Sequence, residues 1–303
     1  MYSTEIFKEL HSKLGKNRFG GKVATYIPEL GCVDPEHFGV SLTTVTGESY
    51  HYGDYDVRFS IQSVAKVFAL VMAEECGAAL RKRVGVEPSG GSFNSLIQLE
   101  LYKGIPRNPM LNAGALVVCD VLLQNLNSPK EELLAFVRRV SGSAAVGFNE
   151  RVAQSELKTG FRNEALVQFM RSFGNINSEL SELMDFYCHL CSIEMTTAEL
   201  AQSFNFLANG GVNPLTRKPE VKATTARRIN AVMQTCGFYD QAGEFAFRVG
   251  LPGKSGVGGG IAAVHPGEYS MAVWSPRLGD KSNSYAGMRF LELWTSYAED
   301  SIF

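Results

Sequence analysis

Apolar residues follow a helical spacing at both ends of the chain. From Ser3 to Leu14, four apolar side chains fall on one helical stripe: Ile6, Phe7, Leu10 and Leu14. From Tyr285 to Tyr297, another set lies on one side: Met288, Leu291 and Trp294. The sequence therefore predicts a helix near each end.

Alternating patterns, typical of strands, occupy two separate regions. The first holds Phe38, Val40 and Leu42, a turn at Thr46-Gly47-Glu48, and a second alternation at Tyr55, Val57 and Phe59. The first set alternates with small or polar residues, which predicts a half-buried strand. The second region follows Tyr239 and holds three sets: Phe245, Phe247 and Val249; Ile261 to Val264; and Tyr269, Met271 and Val273. We expect an antiparallel hairpin directly before residue 63.

Between these regions the pattern is helical. Helix-start signals stand at Ser128-Pro129-Lys130-Glu131 and at Thr196 with Glu199, the latter before a run that ends at Asn209-Gly210-Gly211. Two more helical runs cover Asn163 to Phe173 and Glu179 to Ile193. The sequence predicts helices from residue 63 to about residue 236.

This order predicts an α+β fold. Strands from both ends form one antiparallel sheet flanked by helices, and the helical section is inserted beside it. We expect a single module of two lobes, with a sheet lobe at about 1–62 and 237–303 and a helical lobe at about 63–236. A cleft between the lobes is the expected place for a site.

Composition gives no support for a nucleic-acid-binding or membrane protein. The 303 residues are 45% hydrophobic and 20% charged, with a formal net charge of −2. No basic block supports nucleic-acid or membrane-surface binding. The apolar run from Leu111 to Leu123 is too short to span a bilayer, and the N-terminus lacks the pattern of a signal peptide. Six scattered cysteines then indicate free thiols in a reducing, cytoplasmic setting.

The stretch FSIQSVAKVFALVMAEE, residues 59–75, carries the candidate chemistry. Ser63 and Lys66 are three residues apart at the start of a helix, so a hydroxyl and an amine share one face. Free backbone N–H groups at a helix start can stabilise an anion beside them. This is the Ser-x-x-Lys arrangement of serine acyl-transfer enzymes.

Lys254-Ser255-Gly256, in GKSGVGGG, is the second motif. A phosphate loop would need a glycine where Arg248 stands and a following helix, and the sequence shows neither. A Lys-Ser-Gly triplet on a strand can instead pair with an extended substrate. Together with Ser-x-x-Lys and the α+β order, it resembles the serine β-lactamase and penicillin-binding-protein fold.

Longer stretches resemble the serine-dependent glutaminases, the L-glutamine amidohydrolases. They are GKVATYIPEL (21–30), FSIQSVAKVF (59–68), VGVEPSGGSFNS (84–95), PRNPMLNAGA (106–115), SELKTGFRN (155–163), YCHLCSI (187–193), CGFYD (236–240) and GLPGKSGVGGGI (250–261). The resemblance covers nearly the whole chain. It implies hydrolysis of L-glutamine to L-glutamate and ammonia through a γ-glutamyl-serine acyl-enzyme.

The resemblance also implies roles for individual residues. The catalytic set would be Ser63 as nucleophile, Lys66 as its activating base, Tyr239 as proton relay and Tyr26 as a pocket-shaping hydrogen-bonding group. The backbone N–H groups of Ser63 and Val257 would bind the oxyanion. The substrate's α-ammonium and α-carboxylate would be held by Asn112, Glu156, Asn163, Tyr187 and Tyr239.

No cofactor or metal is expected. Cys188 and Cys191 have no second pair at metal-ligand spacing, and the five histidines show none either. Ser92-Phe-Asn94 and Ser203-Phe-Asn205 match the Ser-x-Asn element of the penicillin-binding fold, but neither stands at an equivalent position, which argues against β-lactamase activity.

Two other functions stay open on the sequence. One is another serine acylase or β-lactam-interacting enzyme, which would not need Glu156 or Tyr187. The other is a non-catalytic ligand sensor, which would tolerate loss of Ser63 or Lys66. The resemblance is to the bare catalytic module of bacterial glutaminases, without the N-terminal extension and ankyrin repeats of the animal enzymes. That resemblance implies a homodimer or homotetramer.

Overall fold

The structure, a computed structural model, describes residues 2–77, 80–89 and 96–303. Its helices are α1 Thr4–Leu14, α2 Lys66–Glu75, α3 Leu80–Arg83, α4 Leu96–Leu101, α5 Asn112–Asn125, α6 Pro129–Ser141, α7 Glu150–Thr159, α8 Phe161–Ser172, α9 Leu180–Cys191, α10 Thr197–Ala208, α11 Ala223–Cys236, α12 Ala242–Arg248 and α13 Tyr285–Ala298. Its strands are β1 Gly39–Thr44, β2 Ser49–Gly53, β3 Phe59–Ser60, β4 Gly147–Phe148, β5 Ile193–Met195, β6 Val212–Asn213, β7 Lys218–Pro219, β8 Gly253–Ser255, β9 Gly260–His265 and β10 Tyr269–Trp274.

The main sheet has five antiparallel strands in the order β2-β1-β10-β9-β8. Gly39 of β1 pairs with Trp274 of β10, and Ser255 of β8 pairs with Ile261 of β9. Strands from both ends of the chain thus form one sheet, which confirms the predicted α+β class. The hairpin turn after β1 and the helices at the two ends are confirmed as well.

Helices cover both faces of this sheet. Phe7 of α1 packs edge-on against Phe290 and Trp294 of α13, in a core that includes Val40 and Met271 of the sheet. On the opposite face α10 lies across β1, β9 and β10, and the core there continues into the helices between residues 66 and 236. Among the described residues, every helix is too short or too polar to cross a membrane.

The prediction of a half-buried β1 is wrong, because α10 covers its second face. All six residues of β1 are buried. The hydroxyl of Ser41 hydrogen-bonds that of Thr197 at 2.9 Å, and the Asn205 side chain donates to the carbonyl of Thr43 at 2.7 Å. The Ser41 hydroxyl and the Thr43 carbonyl therefore bind α10 rather than water. Asn205 belongs to the second Ser-x-Asn match, and the first match lies outside the described residues.

The alternation at Tyr55, Val57 and Phe59 does not form a strand of the hairpin. Only Phe59–Ser60 is extended, and this strand, β3, pairs with β5 in a separate three-stranded sheet, β3-β5-β4. The chain turns after β2 because the Asp54 carboxylate accepts the backbone N–H of Phe38 at 3.0 Å and the Asp54 carbonyl accepts that of Val57.

Residues 242–248 form helix α12, so the strand predicted at Phe245, Phe247 and Val249 is wrong. Phe245 is buried and stacks on Phe238, with ring centroids 3.7 Å apart, whereas Phe247 is 90% exposed. Glu244 and Arg248 form an i,i+4 ion pair. The two-residue spacing of Phe245 and Phe247 therefore comes from one buried ring and one exposed ring on the same helix.

The two helix-start signals have different outcomes. Thr196 and Glu199 form the predicted capping box before α10. Before α6 the Ser128 side chain makes no capping hydrogen bond, and the Glu132 carboxylate accepts the N–H groups of Asn127 and Ser128 instead. The carboxylate that accepts hydrogen bonds at the start of α6 is therefore that of Glu132, one residue after the predicted Glu131.

Candidate active site

Ser63 lies where β3 passes into helix. Residues Gln62–Ala65 form a 3₁₀ turn that continues into α2, so Ser63 and Lys66 are one turn apart on the same side. The Ile61 N–H donates to the carbonyl of Ile193 in β5 at 2.9 Å, which ties the start of this turn to the small sheet. The Ser63 side chain is buried but for 7% of its surface.

Lys66 is enclosed and has no carboxylate at salt-bridge distance among the described residues. Its Nζ donates to the Asn112 Oδ1 at 2.7 Å and to the Met110 carbonyl at 3.3 Å. Burial lowers the pKa of Lys66 to about 8, and the more distant Glu156 opposes the shift. With this pKa roughly a tenth of the amine is neutral at pH 7, far more than in an exposed lysine, so Lys66 can act as a general base.

Tyr239 reaches Ser63 from the segment that follows α11. It begins the 3₁₀ turn Tyr239–Gln241 with a φ of 56°, a left-handed conformation that is rare for a bulky residue. Burial raises its pKa to about 12, while a hydrogen bond with the Ser63 side chain opposes the rise. The phenol therefore stays protonated near neutral pH and can donate a proton.

Two lysines approach the ring of Tyr239. The Lys254 Nζ lies 4.3 Å from the ring centroid, and that of Lys66 lies 5.9 Å from it. Lys254 is fully buried, and its Nζ donates to the carbonyls of Gly237 and Ser255. Burial, reinforced by Lys66, lowers the pKa of Lys254 well below its usual value.

The glycine-rich turn after β8 brings Val257 beside Ser63. A Cβ built on Gly256 would lie 3.3 Å from the Ser63 nitrogen and would collide with the Ile61 carbonyl oxygen. Only glycine permits this close approach of two backbones. The segment that carries the Val257 N–H therefore runs alongside the nucleophile, as an oxyanion hole requires.

Two asparagines bridge the base to α8. The Asn112 Nδ2 donates to the Asn163 Oδ1 at 3.1 Å, while its Oδ1 accepts from Lys66. Asn112 begins α5, so its position is fixed by the helix start. The Asn163 amide nitrogen is then oriented as a donor for an anionic group.

Glu156 of α7 is the carboxylate of the site. It is 7% exposed, and within the described residues its Oε1 is buried without a hydrogen-bond partner. Burial raises its pKa to about 7, against a hydrogen bond from Gln62 and the charge of Lys66. A buried carboxylate with one free oxygen suits a cationic ligand group.

Two further tyrosines, Tyr187 and Tyr26, line the site. Tyr187 of α9 is nearly fully buried, with the Lys66 Nζ 5.9 Å from its ring centroid, and burial raises its pKa well above the usual value. Tyr26 is 58% exposed, yet enclosure of its hydroxyl and the nearby Tyr239 and Glu156 raise its pKa. Tyr26 therefore forms the open edge of the site.

All the residues singled out from the sequence thus meet in one cluster: Ser63, Lys66, Asn112, Glu156, Asn163, Tyr187, Tyr239, Tyr26 and Val257. The sequence-based site omitted two buried neighbours, Gln62 and Lys254. Lys254 carried a signal in the Lys-Ser-Gly triplet, whereas Gln62 carried none, since its contact with Glu156 depends on the packing of α7. Within the described parts of the chain, no group of three or more metal-ligating side chains is present.

This arrangement provides a buried hydroxyl, a basic amine, a proton-donating phenol and two backbone N–H groups around one point. Such a set can form and hydrolyse an acyl-serine ester. The carboxylate and amides beyond it can hold a zwitterionic head group.

The known proteins that this chain is similar to are glutaminases. Residues 21–303 match the protein family described as Glutaminase. A glutaminase of Saccharophagus degradans is 54% identical over 300 residues, spanning 99% of this chain and 98% of the relative.

Two solved structures share the fold. The probable glutaminase ybaS superposes with a TM-score of 0.91 at 35% identity, covering 99% of this chain and 98% of its own. Mglu, solved in a glutamate form, gives a TM-score of 0.91 at 32% identity, covering 98% of this chain and 69% of its own.

Proposed function

The chain belongs to the glutaminase family, and from this premise we propose that its site hydrolyses L-glutamine to L-glutamate and ammonia by covalent catalysis at Ser63. It is an amidohydrolase. The observation that carries the mechanism is the contact of Ser63 with Tyr239, beside a lysine whose pKa burial lowers to about 8.

Acylation begins with neutral Lys66. The amine takes the Ser63 proton while Oγ attacks the side-chain amide carbon of glutamine. The negative charge that develops on the amide oxygen is stabilised by the N–H groups of Ser63 and Val257. As the C–N bond breaks, Tyr239 protonates the departing nitrogen, and the Lys66 ammonium returns a proton to the phenolate.

Deacylation uses the same groups in reverse. Lys66, again neutral, takes a proton from water, whose oxygen attacks the γ-glutamyl ester. The tetrahedral intermediate collapses, Ser63 recovers its proton, and glutamate is released. Burial of Lys66 favours both steps because it raises the neutral fraction of the base.

The head group is held on the helical side of the site. The free oxygen of Glu156 accepts from the substrate α-ammonium. The α-carboxylate takes hydrogen bonds from Asn163 and Tyr187. Asn112 orients Asn163 through their hydrogen bond, Tyr239 completes this set of head-group residues, and Tyr26 closes the open edge. The glutamate form of Mglu, with the same fold, supports an amino-acid ligand for this site.

Ser63→Ala tests this proposal. We expect the variant to fold, because a lost hydroxyl at a helix start costs at most about 2 kcal/mol. We expect ammonia release from glutamine to disappear, since no acyl-enzyme can form. Asparagine and a chromogenic β-lactam, assayed with both proteins, separate the alternatives. Turnover by the variant above a small fraction of wild type contradicts the nucleophile, and cleavage of the β-lactam alone contradicts the substrate.

We also propose that the enzyme is a homodimer or homotetramer. Helices α4 and α8 pack together and expose apolar side chains to solvent. Ile97, Leu101 and Phe161 are each more than 70% exposed. Apolar side chains grouped on one face are typical of association surfaces, and a second copy of the chain is the occupant that the family resemblance implies.

A cytoplasmic location is the last part of this proposal. All six cysteines are free thiols, and two of them, Cys119 and Cys191, lie close enough to Lys66 to affect its pKa. A reducing compartment keeps such thiols unpaired.

A further inference from the structure

Lys254 lies against the ring of Tyr239 and is closed off from solvent. None of its surface is exposed, and its Nζ lies 4.3 Å from the centroid of that ring. The Nζ donates to the carbonyl of Gly237 at 3.0 Å and to that of Ser255 at 2.6 Å. An enclosed amine whose hydrogen bonds go to two backbone carbonyls cannot reach a ligand in the cleft, so its role lies within the protein.

The carbonyl of Gly237, two residues before Tyr239, is where β8 holds the segment that leads into the phenol. This carbonyl also accepts the backbone N–H of Ser255 at 3.3 Å. The two backbones are in direct contact, since a Cβ built on Gly237 would collide with the Gly253 carbonyl oxygen. Lys254 therefore adds a side-chain donor to a close contact between β8 and this segment.

The far end of the same turn is tied to β8 as well. The Gln241 Oε1 accepts the Asn283 Nδ2 at 2.7 Å, and the Asn283 Oδ1 accepts the Ser255 hydroxyl at 2.5 Å. The turn Tyr239–Gln241 is thus held both before and after the phenol.

Tyr239 needs this support because its backbone is strained. Its φ of 56° lies in the left-handed region, which a bulky side chain rarely adopts. Such a conformation persists only where the surrounding structure imposes it. In this conformation the ring centroid is 5.9 Å from the Nζ of Lys66, the proposed base.

We propose that Lys254 is a positioning residue, which holds the Tyr239 turn in the conformation that aims the phenol at the reacting serine. The proposal rests on the proposed function and adds a residue to it. Lys254 would act through the proton that Tyr239 gives to the departing nitrogen, and not on the substrate itself.

This role predicts a dependence on the leaving group. An amide nitrogen leaves with the electron pair of the C–N bond only after it gains a proton, whereas a thiolate leaves a thioester without one. Both substrates still need Lys66 to take the proton of Ser63. Loss of Lys254 should therefore slow the amide far more than the thioester.

Lys254→Met is the decisive variant, since it keeps the length of the side chain and removes the donor. We expect kcat/KM for glutamine to fall about 10²-fold, the scale of a misplaced catalytic group, and kcat/KM for the γ-thiomethyl ester of glutamate to fall less than about threefold. Tyr239→Phe should show a selective loss of the same kind. The double variant should be no slower on glutamine than Tyr239→Phe alone, because the two residues act as a unit.

Lys281→Met is the matched control. The Lys281 Nζ pairs with the Asp240 carboxylate of the same turn, but from the exposed side, where an ion pair contributes little. This variant should keep the wild-type ratio of the two kcat/KM values.

A crystal structure of Lys254→Met gives a readout that does not depend on turnover. We expect the Gly237 carbonyl and the Tyr239 ring to have moved, and the φ of Tyr239 to have left the left-handed region. Should Lys254→Met fail to fold, Lys254→Gln keeps one amide donor without the reach to hold both carbonyls. It should show the same selective loss on glutamine at a smaller size.

Three results overturn the proposal: equal losses on the amide and the thioester, a loss in the double variant that adds to that of Tyr239→Phe, or a Tyr239 that keeps its position in the variant structure. Failure of the proposed function looks different. In that case wild-type protein releases no ammonia from glutamine, while the crystal structure still decides whether Lys254 positions Tyr239.

Discussion

At the residue scale, burial gives Lys66 the lowered pKa that the proposed catalytic base needs. Lys66 has the same covalent chemistry as any surface lysine, but full enclosure removes the water that stabilises its ammonium form. The acceptors around it, a carbonyl and an amide oxygen, carry only partial charge and compensate incompletely. Burial of Lys66 therefore lowers the stability of the fold and raises the neutral fraction of the amine.

This loss of stability predicts that Lys66→Met stabilises the fold while abolishing activity. The folded pKa of about 8 lies below the 10.5 of an exposed lysine, so folding below pH 8 must bury an unfavourable charge. That penalty is full below pH 8, declines as pH rises toward 10.5, and vanishes above. The shift corresponds to about 3 kcal/mol as an upper bound.

Because two acceptors lose their donor in the variant, we expect a net gain of roughly 1–2 kcal/mol at pH 7. Urea unfolding at pH 7 and at pH 10 measures it, and the gain should shrink at the higher pH. A variant less stable than wild type at pH 7 would show that Lys66 is stabilised in the fold by a charge. Ammonia release by the Ser63→Ala, Lys66→Met double variant should be no slower than by either single variant, since the two act as a unit.

At the element scale, the site depends on two short segments whose backbones pack directly against each other. The turn Gln62–Ala65 follows β3, and the glycine turn follows β8, on the edge strand of the main sheet. The carbonyls of Ser60 and Ile61 face Gly258 and Gly256 with no room for a side chain. The two proposed donors of the oxyanion hole come from these two segments, so the distance between the segments would set the geometry of catalysis.

Gly256→Ala should therefore lower kcat strongly. The new methyl group must push the glycine turn away from Ile61 and Ser63, and loss of one oxyanion donor costs about 10²–10³ in kcat. Gly243→Ala is the matched control, because Gly243 lies in α12 with open space around its Cα, and it should keep wild-type kcat. Steady-state kinetics with glutamine decide the outcome. Near-normal kcat in Gly256→Ala would remove Val257 from the oxyanion hole.

At the scale of the whole molecule, the site lies where the two proposed lobes meet. Ser63, Lys66, Glu156 and Tyr187 belong to the section at about 63–236, whereas Tyr239 and Val257 follow it. Asn163 is on α8, two residues after the exposed ring of Phe161. Association through α4 and α8 would thus stabilise the helix that carries Asn163, a proposed ligand of the substrate.

The double variant Ile97→Glu, Phe161→Glu should dissociate the oligomer. Burying two carboxylates in an apolar interface costs several kcal/mol, which exceeds what a small interface tolerates. Sedimentation velocity gives the mass of wild type and variants. Phe247→Glu, a 90% exposed ring on α12, is the control and should leave the mass unchanged. An unchanged mass in the double variant, or a monomeric control, excludes this surface.

The sequence by itself determined what is local or periodic. The end helices, the β1 hairpin and the capping box before α10 follow from spacing and short-range hydrogen bonds. The motifs around Ser63 and Lys254 indicated the candidate chemistry, and the longer stretches that resemble the glutaminases identified the family. The three-residue spacing of Ser63 and Lys66 places both side chains on one face, since helix geometry fixes which side chains lie together.

Only the tertiary structure decided what depends on contacts distant in sequence. Both faces of β1 are buried because α10 packs on the second face. Phe245 lies in a helix, where its ring stacks on Phe238. Gln62 entered the site because α7 sets Glu156 against it, and the pKa of Lys66 fell because helices from across the chain exclude water from it. Burial is a property of the assembled core, so no local pattern contains it.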